Sequence, residues 1–453
     1  MKPRMLSFAL IFVAAFGGSI AISNAAEQDE QFVPMLAYRT GPYAAGGSGF
    51  FGGFEDYLAL VNIRDKGVKG VKFAWEECET GYDADRGMEC YEKLKNKGPT
   101  GATVIQPLST GITYRLIERA SADRIPIISM GYGRADASDG RVFPWVFPLI
   151  TNYWSQNTTK IKFIAMQEGG MDKLKGKKIA NLYHESSYGR ETIPILNKQA
   201  ETYGFEVKHY PVSPPGLEPL FDELAVVWLD ITRRYEPDWV ILRGWGEMNP
   251  NALKEAARVG FPRDRIVGVW WSGAEEDVIP AGEAAIGYIA AGFHPSGTDF
   301  PVVQDVVKHV HDGGKGNIER ERVGTIYHNR GIIAGIITAE AIRTAQAKFG
   351  ERPISGEEMR WGIENLNIIP ERIKELGAEG LMQPIKVSCR DHEAGGAVKF
   401  QQWDGEKWNV ITDWIQGDRS MVRSMVEESA SAYAKVREIT PRQGKSLGSD
   451  CNG

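Results

Sequence analysis

Short β-branched and aromatic runs recur along this chain with helical patterns between them, and that alternation leaves few folds open. Apolar runs at 32–38, 71–75, 102–106 and 125–129 have the length of buried strands. Helical patterns at 57–61, 88–94 and 114–122 lie between them. The rhythm then restarts. Strand-like runs stand at 178–183, 207–210, 239–242, 266–271 and 287–293, among helical stretches at 154–165, 188–203, 220–234 and 251–259. Helices at 302–311 and 331–349 follow. Strand, loop, helix and strand at this spacing build a parallel sheet covered by helices. Two such units predict an α/β protein of two doubly wound, Rossmann-like lobes. The Gly-rich run 41–53 reads as a turn after the first strand. Asp404-Gly405, between Trp-bearing arms over 399–414, predicts an antiparallel hairpin appended near the C-terminus.

The N-terminus sets the compartment. Lys2 and Arg4 open an apolar run at 6–16, and Ser23-Asn24-Ala25 offers small residues where a signal peptidase reads them. The run is too short and too broken for a membrane span, which needs about 20 apolar residues. An export signal cleaved near Ala25 and a soluble, exported mature chain are expected. The 453 residues suffice for two domains of about 150–200 residues each. A net charge of −6 spread over the chain argues against a nucleic-acid partner. In an oxidising compartment the four cysteines point to disulfides. Cys78 and Cys90 bracket a short polar loop whose closure would contribute roughly 2–3 kcal/mol; Cys389 and Cys451 are the remaining pair.

Read in order, a set of short segments resembles the periplasmic solute-binding proteins of branched-chain amino acid ABC transporters, the type I binding-protein fold. They are Gly41-Pro42, Glu76-Glu77-Cys78, the run from Gln106 to Gly111, and Ile128-Ser129-Met130-Gly131-Tyr132. Ser187-Tyr188-Gly189, Pro237-Asp238-Trp239-Val240, Gly244-Trp245, Ala256-Ala257-Arg258-Val259-Gly260 and Trp403-Asp404-Gly405 follow. The resemblance implies lobes over 31–150 plus 286–380 and over 151–285 plus 383–440, with 441–453 as a polar tail. It implies a ligand cleft between them, an ABC permease and ATPase as partners, a monomer, and no cofactor. Its ligand-binding positions fall on Ser109, Thr110 and Thr113, then on Tyr132, Tyr188 and Trp245. A Ser/Thr-rich loop opening a helix suits an anion on physical grounds as well, since it offers free N–H groups, hydroxyls and the positive dipole end.

The departures from that family bear on specificity. Its amino-acid binders hold the α-ammonium with two carboxylates of the second lobe. Here the first falls in Thr151-Asn152-Tyr153-Trp154, and the second at Trp270 or Trp271. An ammonium buried without a carboxylate would cost several kcal/mol. Tyr43, Phe50, Tyr132, Tyr153, Trp154, Trp245, Trp270 and Trp271 are candidate aromatic walls, which suit an aromatic or other hydrophobic carboxylate. A small amide or urea is the alternative, and Glu247, Glu275 or Glu276 could restore amino-acid binding. A ligand-sensing role for a signalling receptor is the rival of transport. No enzyme motif occurs, and His309 and His311 read as surface residues. Asp391-His392-Glu393 reads as a loop, so no metal is expected.

Overall fold

The computed structural model describes residues 29–216 and 220–443. The expected export signal and Cys451 lie outside them. The first lobe begins β1 (Glu30–Ala37), α1 (Ala44–Arg64), β2 (Lys72–Glu79), α2 (Ala84–Leu94), α3 (Thr110–Asp123), β3 (Ile127–Ile128) and β4 (Val146–Phe147). β1 and β2 are parallel, with Glu30 against Lys72 and Ala37 against Glu79. Residues 102–106 continue that layer: the Thr103 N–H donates to Phe32 O at 3.2 Å, and Ile105 bridges Ile127 in parallel. β3 pairs with β4, also in parallel.

The second lobe runs α4 (Tyr153–Glu168), β5 (Lys178–His184), α5 (Ser187–Arg190), α6 (Ile193–Tyr203), β6 (Glu206–Val212), α7 (Leu220–Asp230), β7 (Trp239–Arg243), α8 (Met248–Arg258), β8 (Ile266–Gly268), α9 (Glu275–Val278) and β9 (Ile289–Gly292). The chain then returns through α10 (Pro301–Val306), α11 (Ile326–Phe349), α12 (Gly356–Glu364), β10 (Asn367–Ile368), α13 (Pro370–Glu375) and β11 (Ile385–Lys386). It closes with β12 (Ala397–Trp403), β13 (Trp408–Val410), β14 (Ile415–Gln416) and α14 (Arg419–Val436). The second sheet has eight strands in the order β13-β12-β9-β8-β7-β5-β6, with β14 also on β12. The strands β5 to β9 are parallel and β12 is antiparallel.

Three expectations need correction. The Gly-rich run is not a turn, because residues 44–53 form the first half of α1. A Cβ on Gly53 would meet His328 O at 2.0 Å, and one on Gly331 would meet Phe50 O at 2.1 Å. The two glycines bring α1 and α11 backbone to backbone, and that packing outweighs a helix propensity about 1 kcal/mol poorer than alanine's. β9, expected in the returning first-lobe segment, pairs with β8 and β12 and so belongs to the second sheet. The hairpin β12–β13 is part of that same sheet rather than an appendage, and α14 bridges the lobes. Its Ala430 and Ala434 pack with Ile117, Phe143 and Val146, while its Val422 and Val426 pack with Trp154 and Ile195. Two interlobe crossings are tied together, since Gly396 N–H donates to Ile150 O at 3.0 Å and the Glu393 carboxylate accepts the Asn152 N–H at 3.0 Å.

Candidate functional site

The turn before α3 is built by tyrosines. Leu108 sits at φ 46°, a left-handed conformation that few side chains adopt without support. Its carbonyl accepts from Tyr38 OH at 3.0 Å, and its N–H donates to Tyr132 OH at 2.9 Å. Tyr132 OH in turn donates to Ile128 O at 3.0 Å. Ser109 then caps the helix, its hydroxyl accepting the Ile112 N–H at 3.3 Å. The chain is thereby turned so that Thr110 faces the other lobe.

Between the lobes lies a cavity walled by Tyr82, Leu108, Thr110 and Tyr132 on one side and Tyr153, Tyr188, Trp245 and Trp271 on the other. Counted over positions open to the centre of a water-sized sphere, its volume is about 10 Å³, room for one water. The lobes are therefore closed on each other, and the closure is bonded. Trp270 and Trp271 both donate their indole N–H to Gly131 O, at 2.7 and 3.2 Å. Tyr43 OH lies 2.8 Å from His184 Nε2, and Glu247 N–H donates to Pro42 O at 3.3 Å. Burial drops His184 to about 4, so at neutral pH it takes part in that bond uncharged.

The structure brings together Thr110, Tyr132, Tyr153, Tyr188, Trp245 and Trp271 from the expected set. It leaves Ser109 as the cap, and Thr113 buried one turn further along α3, its hydroxyl without a partner among the described residues. Trp270 packs away from the cavity, stacked on Tyr153 at 6.0 Å and edge-on to Phe293 at 5.2 Å. Phe50 lies in the α1–α11 core, Trp154 donates to Glu191 O at 2.8 Å, and Tyr43 stacks behind Trp245 at 6.3 Å. Tyr82 and Leu108 were not foreseen. Tyr82 sits inside the loop closed by the Cys78–Cys90 disulfide, whose Cα atoms are 5.5 Å apart. A lone tyrosine in a short cross-linked polar loop was the available signal. Cys389 is disulfide-bonded and buried.

No carboxylate lines the cavity among the described residues. Glu275 instead accepts the Ile326 N–H at 2.8 Å, and Glu276 accepts from Arg322 at 2.8 Å, so both hold the start of α11. The charge beside the cavity is positive. The Arg243 guanidinium lies over the rings of Tyr153 at 3.9 Å and Tyr188 at 4.5 Å, and two of its nitrogens donate to Tyr188 O at 3.2 and 2.9 Å. Its Nη1 and the Trp245 Nε1 are buried and have no partner among the described residues. These are donors without acceptors, the complement of an anionic or carbonyl-bearing solute.

The sequence placed His311 on the surface. Its imidazole is instead buried against Asp56, with Nε2 at 2.7 Å from Oδ2, and His328 Nε2 reaches the same oxygen at 3.1 Å. Asn317 donates twice to the other oxygen, at 2.8 and 2.9 Å. The three residues are spaced so that they could hold a metal ion, but these bonds already account for both carboxylate oxygens. Asp391, His392 and Glu393 diverge. His392 Nδ1 bonds Val146 O at 2.7 Å while Glu393 holds Asn152, so this triplet secures the hinge.

Residues 30–407 match the periplasmic binding protein family. A crystal structure described as an ABC transporter permease from the Pseudomonas fluorescens group is 47% identical, with a TM-score of 0.84 over 92% of this chain and 99% of that one. A branched-chain amino acid ABC transporter protein from Thermus thermophilus with bound valine shares the fold at 20% identity and TM-score 0.71, over 88% of this chain and 99% of that one. So does a solute-binding protein from R. palustris in complex with benzoate, at 17% and 0.65, over 86% and 98%. No curated protein matches the chain. With two α/β lobes closed on a cleft between crossing segments, this chain belongs to the periplasmic binding protein family, as an extracytoplasmic solute-binding protein of the ABC transporter type with a type I fold.

Proposed function

We propose that this protein captures a small, flat organic carboxylate in the interlobe cavity and delivers it to an ABC permease driven by its ATPase. It acts as a monomer in the periplasm, after cleavage of its signal near Ala25. The observation that carries the ligand class is the pairing of aromatic walls with an unmatched cation: Arg243 stands behind Tyr153 and Tyr188, and among the described residues no acid faces the cavity. Aromatic faces favour a flat ring, and edge-to-face or stacked contacts add about 0.5–1.5 kcal/mol beyond area burial. Among the described residues an α-ammonium would find aromatic rings, Leu108, the Thr110 hydroxyl and a nearby guanidinium around it, and no carboxylate. The benzoate-bound relative fits this chemistry and the valine-bound one does not.

Opening must precede capture, because the closed cavity is too small for such a solute. The solute then stabilises the closed form through contacts with both lobes, a hinge population shift. A thermal-shift series with benzoate-like acids, small amides and leucine tests the reading. An aromatic acid at 100 times its Kd should stabilise by about 2.7 kcal/mol, and leucine should produce no shift. Micromolar binding of leucine in calorimetry would overturn it.

A further inference from the structure

Behind the cleft wall, the second lobe buries two basic side chains, Lys160 and Arg243, each with a nitrogen that has no partner among the described residues. Side chains alternate along β7, so Trp239, Ile241 and Arg243 share one face, and Phe163 of α4 packs edge-on to Trp239 there at 6.4 Å. α4 carries Tyr153, Gln156, Asn157 and Lys160 at the spacing of one helix face. Lys160 and Arg243 are both 0% exposed. Burial, and then the nearby charge of Arg243, hold the Lys160 amine well below the usual lysine range. Lys160 Nζ and Arg243 Nη1 have no partner among the described residues. The same holds for both amide atoms of Gln156, for Oδ1 of Asn157 and of Asn181, and for Oγ1 of Thr192. Asn181 lies opposite Ile241 in the sheet register, so it shares the face that α4 covers.

Water alone could satisfy the amides. It would not supply a counter-charge to the guanidinium, and a buried charge without one is strongly disfavoured in a low-dielectric interior. A small anion between the two basic groups would supply that charge and favour the charged form of Lys160.

We propose that the second lobe holds a small monovalent anion between Lys160 and Arg243, either a halide or the carboxylate of a captured solute. Arg243 also touches two rings of the cavity wall, so the site is one side-chain layer from the cleft. The halide form stands whatever the transported solute is; the carboxylate form rests on the ligand class proposed above.

The test is a crystal of the solute-free protein grown with bromide in place of chloride, with melting followed in chloride and in gluconate at equal ionic strength. The expected result is an anomalous peak between Lys160 Nζ and Arg243 Nη1, with a melting temperature that rises with chloride. In Lys160→Met that rise should largely disappear; if this variant does not fold, the bromide map of the natural protein decides alone. A peak retained when benzoate is added identifies a resident halide. A peak that benzoate displaces identifies a carboxylate site. Water alone at this position, with melting indifferent to the anion, would overturn the proposal even if benzoate binds in the cleft.

Discussion

Ser109 and Thr110 stand side by side at the start of α3 and face different partners. The Ser109 hydroxyl accepts the Ile112 N–H, which caps the helix, and also hydrogen-bonds Tyr82 of the cavity wall. Thr110 lines the cavity, and its hydroxyl accepts the Gly133 N–H across a long 3.4 Å bond. The two should therefore separate in measurement. Ser109→Ala should cost about 0.5–2 kcal/mol of folding stability, the usual loss of a cap, and lower solute affinity less than the change at Thr110 does. Thr110→Val should leave stability close to the natural value and weaken a carboxylate solute by roughly 1–1.5 kcal/mol. Denaturant melts with calorimetry on both variants check this; equal affinity losses would mean that Ser109 also reaches the solute. Adjacent residues posed the same difficulty at Trp270 and Trp271. The sequence marked both as walls, but consecutive side chains diverge, and only Trp271 faces the cavity. Nothing in a one-dimensional pattern decides which of the pair turns inward.

At the scale of elements, the strands were legible because their apolar runs are short, β-branched and bounded by turns. α1 was not, because its glycines read as a turn until the facing backbone of α11 is known. The Tyr82 loop was half legible: the cross-link follows from the cysteines, whereas the contribution of its tyrosine depends on how the loop folds over the cleft. α9 carries a contact that only the three-dimensional structure reveals. Its Asp277 accepts from Asn249 at 2.8 Å and from Tyr327 OH at 2.9 Å, joining the second lobe to α11. Burial raises both Asp277 and Glu275 to about 7. A carboxyl with a raised folded-state pKa binds its proton more tightly than the unfolded chain does. Its stabilising contribution is full below the unfolded value near 4 and is lost as pH rises through about 7. Stability should thus decline between about pH 4.5 and 7, by an amount on the order of a few kcal/mol for the pair. Asp277→Asn and Glu275→Gln should each flatten that slope in chemical-denaturation curves; a slope unchanged in both would place the titration elsewhere.

For the whole molecule, the question is what holds the lobes shut when the cavity between them has room for only about one water. Several hydrogen bonds cross between the lobes, among them those of the Glu191 carboxylate, which accepts from Tyr114 OH and from the Ala135 N–H at 2.6 Å. Two of them converge on one acceptor, Gly131 O, from the indoles of Trp270 and Trp271. A solute can add to this closure only through the difference between its affinities for the open and closed forms. The more the lobes close unaided, the smaller the fraction of binding energy spent on closing them. Trp270 offers a clean way to measure that balance, because it contributes to the closure bond without lining the cavity. In Trp270→Phe the ring still packs against Tyr153 and Phe293 while the 2.7 Å bond to Gly131 is lost. A net hydrogen bond of about 0.5–1.5 kcal/mol corresponds to roughly a 2- to 13-fold shift toward the open form. Small-angle scattering of the solute-free variant should show a larger radius of gyration than the natural protein. Solute affinity should fall by no more than the same factor, with saturation restoring the compact radius. If scattering and affinity both stay at natural values, Trp271 alone suffices to hold Gly131, and the closed form owes its population to the aromatic contacts rather than to this bond.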